Sequence, residues 1–477
     1  MKTLWCERAW LEPGEIMAGV RVEVGDDGVV RRMTRGSECS PEDLRLDGVV
    51  FPAAANAHSH AFHRVLRGRT HAGSGTFWTW REAMYGAAGL LTPQLYEELA
   101  TAVYTEMVGA GWTSVAEFHY LHHRADGTPY GSADDRGPHA MEFALARAAV
   151  AAGIRLTLLD TCYLSSGFGA SVLPEQTRFT DGSARSWLTR WKSLRDAMAE
   201  QYSTAQVTVG AAIHSVRAVD EPALAFIAQN LPADVPLHIH LSEQPAENRD
   251  CIDATGFTPA GLLARHNLLS ERLTAVHATH LSEEDVKLLG TAGVTIAMCP
   301  TTEADLADGI GPATALRDAG AVVALGTDQH AVVDPWLEMR ALEHGERLAS
   351  GQRGRFSPAE LVRAATAGGS RALGRSAAGL QPGQVCDLMV LDPRSTRTAG
   401  SSADQLALTA TAQDVLAVVV GGEVLARNGS HVRLGEPAVL LSAAISRLDA
   451  AVDLDAAVNP DAAVNPDVSA ISEKARP

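Results

Sequence analysis

Apolar runs with the length of buried strands alternate with helical patterns over most of the chain. They cover residues 113–118, 155–162, 206–213, 236–241, 273–276, 294–298 and 321–326, after a first run that begins at residue 49. Parallel strands that are covered on both faces have such continuous apolar runs, and helices connect them. The eight runs therefore predict an α/β protein whose largest part is a (β/α)8 TIM-like barrel.

Glycine and capping residues mark the ends of the predicted helices. Residues 95–108 and 142–152 have helical patterns that we expect to end at Gly109 and Gly153. Residues 282–285 (Ser-Glu-Glu-Asp) have the form of a capping box, so a further helix is expected to begin there.

Both ends of the chain contain the apolar segments and turns of antiparallel strands. These segments are residues 20–24, 29–33, 388–391, 415–420 and 423–426. Neither end is large enough to bury a core alone, so we predict one small β-sandwich domain built from residues 1–51 and 376–435. The barrel then takes residues 52–375. Residues 436–477 are expected to form a C-terminal helix and a disordered tail with Asp-Ala-Ala-Val repeats.

Histidines and carboxylates stand where the buried runs stop. They are His58, His60, His240, Glu243, His277 and Asp328. The carboxyl ends of barrel strands meet at one face, where the active site of such a barrel lies. A single histidine of this kind is more often an ordinary core or surface residue. Agreement at successive strand ends favours one shared site, because buried polar groups are costly unless they are paired or bind a metal.

His58, His60, His240 and Asp328 are the predicted ligands of one divalent metal ion. Three neutral nitrogens and one carboxylate leave an open position for a water, whose pKa the metal lowers. Zinc is the expected metal, although Fe2+ accepts the same ligands. A two-metal site normally needs a bridging group such as a lysine at a strand end, and Lys192 and Lys287 lie in helical patterns instead.

Three residues are predicted to carry the chemistry. Glu243, three residues after His240, is placed to move a proton between water and a leaving group. His277 is expected to hold the tetrahedral centre that forms, and Asp328 to accept a proton from the water. The adjacent His122 and His123 diverge from the backbone, so we interpret them as structural.

Net charge and cysteine distribution limit the classes of binding partner and the cellular location that we expect. The formal net charge of −17 argues against nucleic acid and anionic membranes, which require a basic face. The six cysteines are scattered singly, which fits a reducing, cytoplasmic location. We therefore expect a small-molecule substrate, and a homodimer because barrels of this kind often pair.

Several longer motifs surround these residues. They are residues 58–62 (His-Ser-His-Ala-Phe), 77–82 (Phe-Trp-Thr-Trp-Arg-Glu), 117–120 (Glu-Phe-His-Tyr), 214–219 (His-Ser-Val-Arg-Ala-Val), 238–240 (His-Ile-His), 276–280 (Val-His-Ala-Thr-His) and 302–306 (Thr-Glu-Ala-Asp-Leu). With them the chain resembles the amidohydrolase superfamily and, within it, the formimidoylglutamate deiminases, zinc enzymes of histidine degradation. The resemblance runs from about Asn56 to Leu391.

The resemblance implies an activity and a set of substrate contacts. The implied reaction is hydrolysis of N-formimino-L-glutamate to N-formyl-L-glutamate and ammonia, and the implied substrate contacts are His63, Arg81, Tyr120, His214 and Arg217. Two arginines suit a substrate with two carboxylates. Position 63 departs from the family, which usually has glutamine there.

Two other hypotheses stay open at this point. One is another deaminase of the superfamily, acting on a nucleobase, a nucleoside or another amidine, which would need the same metal ligands but not two arginines. The other is a barrel without catalysis that serves as a scaffold, which the intact ligand set and Glu243 disfavour.

Overall fold

The computed structural model describes residues 1–71, 77–131 and 137–458. The strands are β1 (Lys2–Leu11), β2 (Glu15–Val24), β3 (Val30–Thr34), β4 (Leu44–Pro52), β5 (Ala54–Ser59), β6 (Trp112–His119), β7 (Arg155–Cys162), β8 (Val207–Ile213), β9 (Leu237–Leu241), β10 (Leu273–His277), β11 (Thr295–Met298), β12 (Val322–Leu325), β13 (Leu388–Leu391), β14 (Val415–Val420), β15 (Glu423–Arg427) and β16 (Ser430–His431).

The helices lie between the barrel strands and after the small domain. They are α1 (Phe77–Leu90), α2 (Pro93–Ala110), α3 (Ala140–Ala152), α4 (Ala184–Gln201), α5 (Glu221–Asn230), α6 (Pro245–Thr255), α7 (Pro259–Arg265), α8 (Glu283–Thr291), α9 (Pro300–Asp305), α10 (Ala313–Asp318), α11 (Pro335–Ser350), α12 (Pro358–Arg363), α13 (Gly369–Ala372) and α14 (Pro437–Val458). The predicted tail after α14 lies outside the described residues.

The predicted (β/α)8 barrel is confirmed. Strands β5 to β12 form one parallel sheet in sequence order. A bridge between Ser59 and Asp328 joins its two edges, and the His58 carbonyl accepts the N–H groups of Thr327 and Asp328, each at 3.0 Å. The closure therefore brings the end of the last strand directly against the first His-x-His pair.

The apolar run after residue 48 is divided between the two sheets. Its first part belongs to β4, which pairs with β1 and β13 in the small domain. Its second part is β5, the first barrel strand. Between them the Ala53 N–H donates to the Asp387 carbonyl at 2.9 Å. Hydrophobicity does not reveal this change of sheet because both strands are fully buried there.

The small domain is built from both chain ends, as predicted. Its eight strands are ordered β16-β15-β14-β13-β4-β1-β2-β3. The sheet curls so that Val29, next to β3, forms a bridge with Val385, just before β13. Side chains such as Val22, Val50 and Leu388 form a core of their own, separate from that of the barrel.

The predicted end of α2 at Gly109 is wrong by two residues. The helix continues to Ala110, and Gly111 ends it with φ +109°. Gly109 serves a different purpose, because a Cβ there would lie 2.5 Å from the carbonyl oxygen of Gly429. A glycine at that position allows α2 to approach the turn between β15 and β16.

Other helix boundaries agree with the sequence. Gly153 ends α3 with φ +72°. At the start of α8, the Ser282 Oγ accepts the Asp285 N–H at 3.2 Å, and the Asp285 carboxylate accepts the Ser282 N–H at 3.0 Å. Among the described helices, none combines the length and the apolar character needed to cross a lipid bilayer.

Candidate metal centre and active site

The four predicted metal ligands lie together at the carboxyl end of the barrel, and we refer to them as the metal centre. The Nε2 atom of His58 is 3.2 Å from the Nε2 atom of His240 and 3.2 Å from Oδ1 of Asp328. The Nε2 atom of His60 is 3.3 Å and 3.4 Å from the same two atoms. All four side chains are buried.

Backbone carbonyls fix the orientation of two of these rings. The Nδ1–H of His60 donates to the Phe118 carbonyl at 2.9 Å, and the Nδ1–H of His240 donates to the His214 carbonyl at 3.0 Å. Because a carbonyl only accepts, the proton lies on Nδ1 and a neutral ring presents the lone pair of Nε2. Two such lone pairs then face each other at 3.3 Å.

A divalent cation fits this arrangement. Facing lone pairs repel unless a positive charge lies between them. Ligand atoms at about 2.0–2.1 Å from a shared zinc ion lie about 2.9–3.4 Å apart when they are adjacent in its coordination shell. His58 and His60 each lie 3.2–3.4 Å from His240 and from Asp328, which agrees with that spacing. The residues therefore suit a divalent metal ion.

Backbone geometry at the strand ends makes the convergence possible. Gly326, which follows β12, has no Cβ, and a Cβ there would lie 2.9 Å from the backbone N and O atoms of His58. Asp328 and His277 adopt left-handed conformations with φ of +41° and +68°. Such conformations are costly for residues other than glycine and are concentrated at functional sites.

Glu243 and His277 lie beside the metal centre. His277 Nε2 is 3.9 Å from Oε1 of Glu243 and 3.9 Å from Oδ2 of Asp328. Burial raises the pKa of Glu243. Burial opposes protonation of His277, but the neighbouring carboxylates of Glu243, Glu303 and Asp328 raise its pKa to about 10. A carboxyl group with a raised pKa is suited to moving protons near neutral pH.

One cavity connects these groups with the predicted substrate contacts. Its walls include Glu243, His277 and Asp328. They also include every residue predicted to bind substrate, namely His63, Arg81, Tyr120, His214 and Arg217. Apart from the fully buried His58, the predicted site residues line a single pocket, with Tyr85, Tyr163 and Phe179 as further walls that the sequence did not indicate.

His63 is a neutral hydrogen-bonding group. Its Nε2 lies 3.1 Å from the hydroxyl of Tyr120, and burial lowers its pKa to about 3. A neutral imidazole offers both a donor and an acceptor, as the amide of a glutamine does. The departure from the family at this position therefore preserves polarity without adding charge.

Arg217 has a buried carboxylate behind it. Its Nε is 3.8 Å from Oε2 of Glu247, whose side chain is almost completely buried. Burial raises the pKa of Glu247 to about 7, although the Arg217 charge opposes the rise. At 3.8 Å the contact is too long for a hydrogen bond, so the guanidinium keeps donors for an anion in the cavity.

Sequence reasoning missed two buried glutamates. Glu117 accepts the Ser59 hydroxyl at 2.7 Å and the Ala61 N–H at 2.6 Å, which holds the segment that carries His60. Glu303 contacts His277. Both residues fall inside motifs noted above, at residues 117–120 and 302–306, and that was the only signal available for them.

A second buried cluster lies outside the metal centre, and we call it the Arg190 network. It consists of His119, His122, Glu142, Asp160, Asp181 and Arg190. His122 Nδ1 and His119 Nε2 lie 3.1 Å and 3.5 Å from Oε1 of Glu142. The second nitrogen of His122 donates to the Thr161 carbonyl at 2.9 Å.

Comparison with known proteins places the chain in a family. Residues 49–425 match the profile of the Amidohydrolase family. The chain belongs to the amidohydrolase family. It is 35% identical over 446 residues to formimidoylglutamate deiminase of Pseudomonas aeruginosa, covering 90% of this chain and 96% of that protein.

Solved structures agree with this membership of the amidohydrolase family. A crystal structure of an amidohydrolase from Brucella melitensis superposes with a TM-score of 0.85 at 33% identity, covering 94% of this chain and all of that one. An adenosine deaminase from Xanthomonas campestris with bound zinc shares the fold, with a TM-score of 0.78 at 22% identity over 94% of this chain and 98% of that one. The chain is accordingly a hydrolase of the amidohydrolase family.

Proposed function

We propose that this amidohydrolase hydrolyses N-formimino-L-glutamate to N-formyl-L-glutamate and ammonia. Water adds to the formimino carbon, the C–N bond to the terminal nitrogen breaks, and that nitrogen leaves as NH3 while the carbon keeps the water oxygen as a formyl carbonyl. The P. aeruginosa relative bears the name of this activity.

The observation that carries the proposal is the composition of the cavity. It combines two guanidinium groups, Arg81 and Arg217, with the metal centre and Glu243. A guanidinium matches a carboxylate geometrically, and a hydrogen bond to a charged group contributes about 1.5–3 kcal/mol. Two such groups fit a substrate with two carboxylates and one amidine.

The metal centre supports a zinc ion as the cofactor. His58, His60, His240 and Asp328 would hold it, and nitrogen with carboxylate donors is a usual zinc ligand set. Such an ion, when bound, lowers the pKa of a water and polarises the substrate.

The remaining steps are assigned to side chains of the chain itself. Glu243 takes a proton from the attacking water and gives it to the departing nitrogen. Asp328 accepts the second water proton, which then passes to the same nitrogen so that it leaves as NH3, and His277 holds the oxygen of the tetrahedral centre. Arg81 and Arg217 bind the two carboxylates, while His63, Tyr120 and His214 complete the walls around the amidine.

Ammonia release tests the proposal. Purified protein with its metal content measured would be assayed with N-formimino-L-glutamate, guanine, cytosine and adenosine. We expect turnover with the first compound and at least about 1,000-fold lower kcat/KM with the others, because those compounds offer no carboxylate to Arg81 and Arg217. A preference for any of the three other compounds would contradict the proposal. The homodimer and the cytoplasmic location stay predictions.

A further inference from the structure

Glu303 belongs to a motif that the proposed chemistry does not use. It lies in α9 and its side chain is 4% exposed. Its Oε1 accepts the Cys299 N–H at 2.9 Å and lies 3.4 Å from Nδ1 of His277. A carboxylate so placed contacts the imidazole from the side opposite the reacting groups.

The orientation of the His277 ring depends on a side-chain contact, because the backbone around this residue does not have regular strand geometry. His277 and the following Ala278 have φ values of +68° and +52°, so the chain departs from strand geometry at the residue that carries the ring. Toward the cavity, Nε2 of the ring lies 3.9 Å from Oε1 of Glu243 and 3.9 Å from Oδ2 of Asp328. These separations are too long for hydrogen bonds that hold the ring.

We propose that Glu303 is a positioning residue for His277. Its Oε1 accepts the Nδ1–H of the imidazole and thereby directs Nε2 toward Glu243 and Asp328. An ionised carboxylate only accepts, so Nδ1 is the donor in this contact. The proposal deepens the function proposed above and rests on it for the role of His277 in turnover.

A purely structural role for Glu303 is the rival interpretation, because the same oxygen holds the Cys299 N–H at the start of α9. Glu338 of α11 provides a matched control. Its side chain is fully buried and accepts the N–H and the hydroxyl of Thr301, at 3.1 Å and 2.5 Å. Thr301 lies in α9, the helix that also contains Glu303. Neither the hydrogen bonds nor the ion pairs of Glu338 among the described residues involve His277.

Four variants separate the two roles: Glu303→Leu, Glu303→Gln, Glu338→Leu and Glu338→Gln. Leucine removes the acceptor, whereas glutamine keeps an oxygen that accepts both N–H groups. We expect Glu303→Leu to lower kcat on the order of 10–100-fold with KM within about threefold, the range for carboxylates that orient a functional histidine. Glu303→Gln should recover most of the loss, and the Glu338 variants should keep the wild-type kcat.

Nitrogen NMR of the zinc-loaded, 15N-histidine-labelled protein gives a readout that does not require turnover. The His277 signal, assigned by its loss in His277→Asn, should report a protonated Nδ1 in the wild type and in Glu303→Gln, and a changed Nδ1 signal in Glu303→Leu. Melting temperature and metal content, measured alongside, exclude loss of the fold or of the metal centre.

Several results would overturn the proposal. They are an unprotonated Nδ1 in the wild type, a wild-type kcat in Glu303→Leu, a Glu303→Gln variant as impaired as Glu303→Leu, and an equal loss in Glu338→Leu. If the wild type released no ammonia from N-formimino-L-glutamate while the NMR results held, the proposed function would fail and the positioning of His277 by Glu303 would stand.

Discussion

The metal centre and the Arg190 network both place histidine and carboxylate atoms at separations suited to a shared ion, but their charges differ. In the metal centre, every ion pair of Asp328 among the described residues is with a histidine. Burial lowers the pKa values of His58, His60 and His240. The three ligand rings are therefore neutral, and the one protonated histidine near Asp328, His277, also faces the carboxylates of Glu243 and Glu303. The centre keeps a negative charge for a bound cation to balance.

The Arg190 network contains its own cation. The guanidinium of Arg190 donates to Asp160 at 2.7 Å and 3.0 Å, to Asp181 at 2.9 Å and to Glu142 at 3.2 Å. Burial opposes its charge, yet these carboxylates raise its pKa. Ligand spacing alone therefore does not identify a metal site, because the charges that the protein itself supplies must also be counted.

The largest effect is expected from removing a ligand of the metal centre. His240→Ala should release the metal and reduce ammonia production to background, because three ligands of weaker combined affinity remain. His122→Ala removes a histidine of the Arg190 network and should leave the metal content unchanged. Metal analysis of both purified variants checks this contrast. Loss of metal in His122→Ala would show that an ion binds in the Arg190 network, contrary to the prediction.

The next largest effect is expected at Glu243. Glu243→Gln should keep the metal content and the melting temperature while kcat falls by about 10²–10⁴-fold, the usual contribution of a positioned general acid or base. Steady-state ammonia release and metal analysis on one preparation measure both quantities. Turnover near that of the wild type would remove Glu243 from the mechanism.

A third variant tests whether Arg190 has a structural rather than a catalytic role. Arg190→Met leaves buried carboxylates without their partner and should lower the free energy of unfolding by about 3–5 kcal/mol with the metal content intact. Arg195→Met, on the same helix, breaks an exposed pair with Asp234 and should cost less than about 1 kcal/mol. Denaturant unfolding compares them, and equal losses would argue against the network.

The smallest of these effects is expected at Arg217. Arg217→Met should raise KM for N-formimino-L-glutamate by about 10–100-fold, because a charge-assisted hydrogen bond to a substrate carboxylate is lost. The KM for an analogue that lacks the carboxylate bound by Arg217 should differ less between the variant and the wild type. An unchanged KM for the diacid would mean that the carboxylate is held elsewhere.

Prediction from the sequence succeeded where one local pattern carries the information. Continuous apolar runs identified the barrel strands, and polar residues at their ends identified the residues that meet in one cavity. It failed at Gly109, because a glycine that allows close helix packing has the same local signature as one that ends a helix. Glu117 and Glu303 were not assigned roles, since nothing in a sequence separates a buried glutamate from an exposed one.

Strand and helix periodicity, the shortage of basic charge and the identity of each side chain in the predicted centre can be read from the amino-acid sequence. The three-dimensional fold was needed to show that β4 and β5 belong to different sheets, that Asp328 approaches His58 across the barrel closure, and that Arg190 neutralises a second cluster. Periodicity is a local property of the chain. Charge balance and ligand geometry depend instead on distances between residues far apart in sequence.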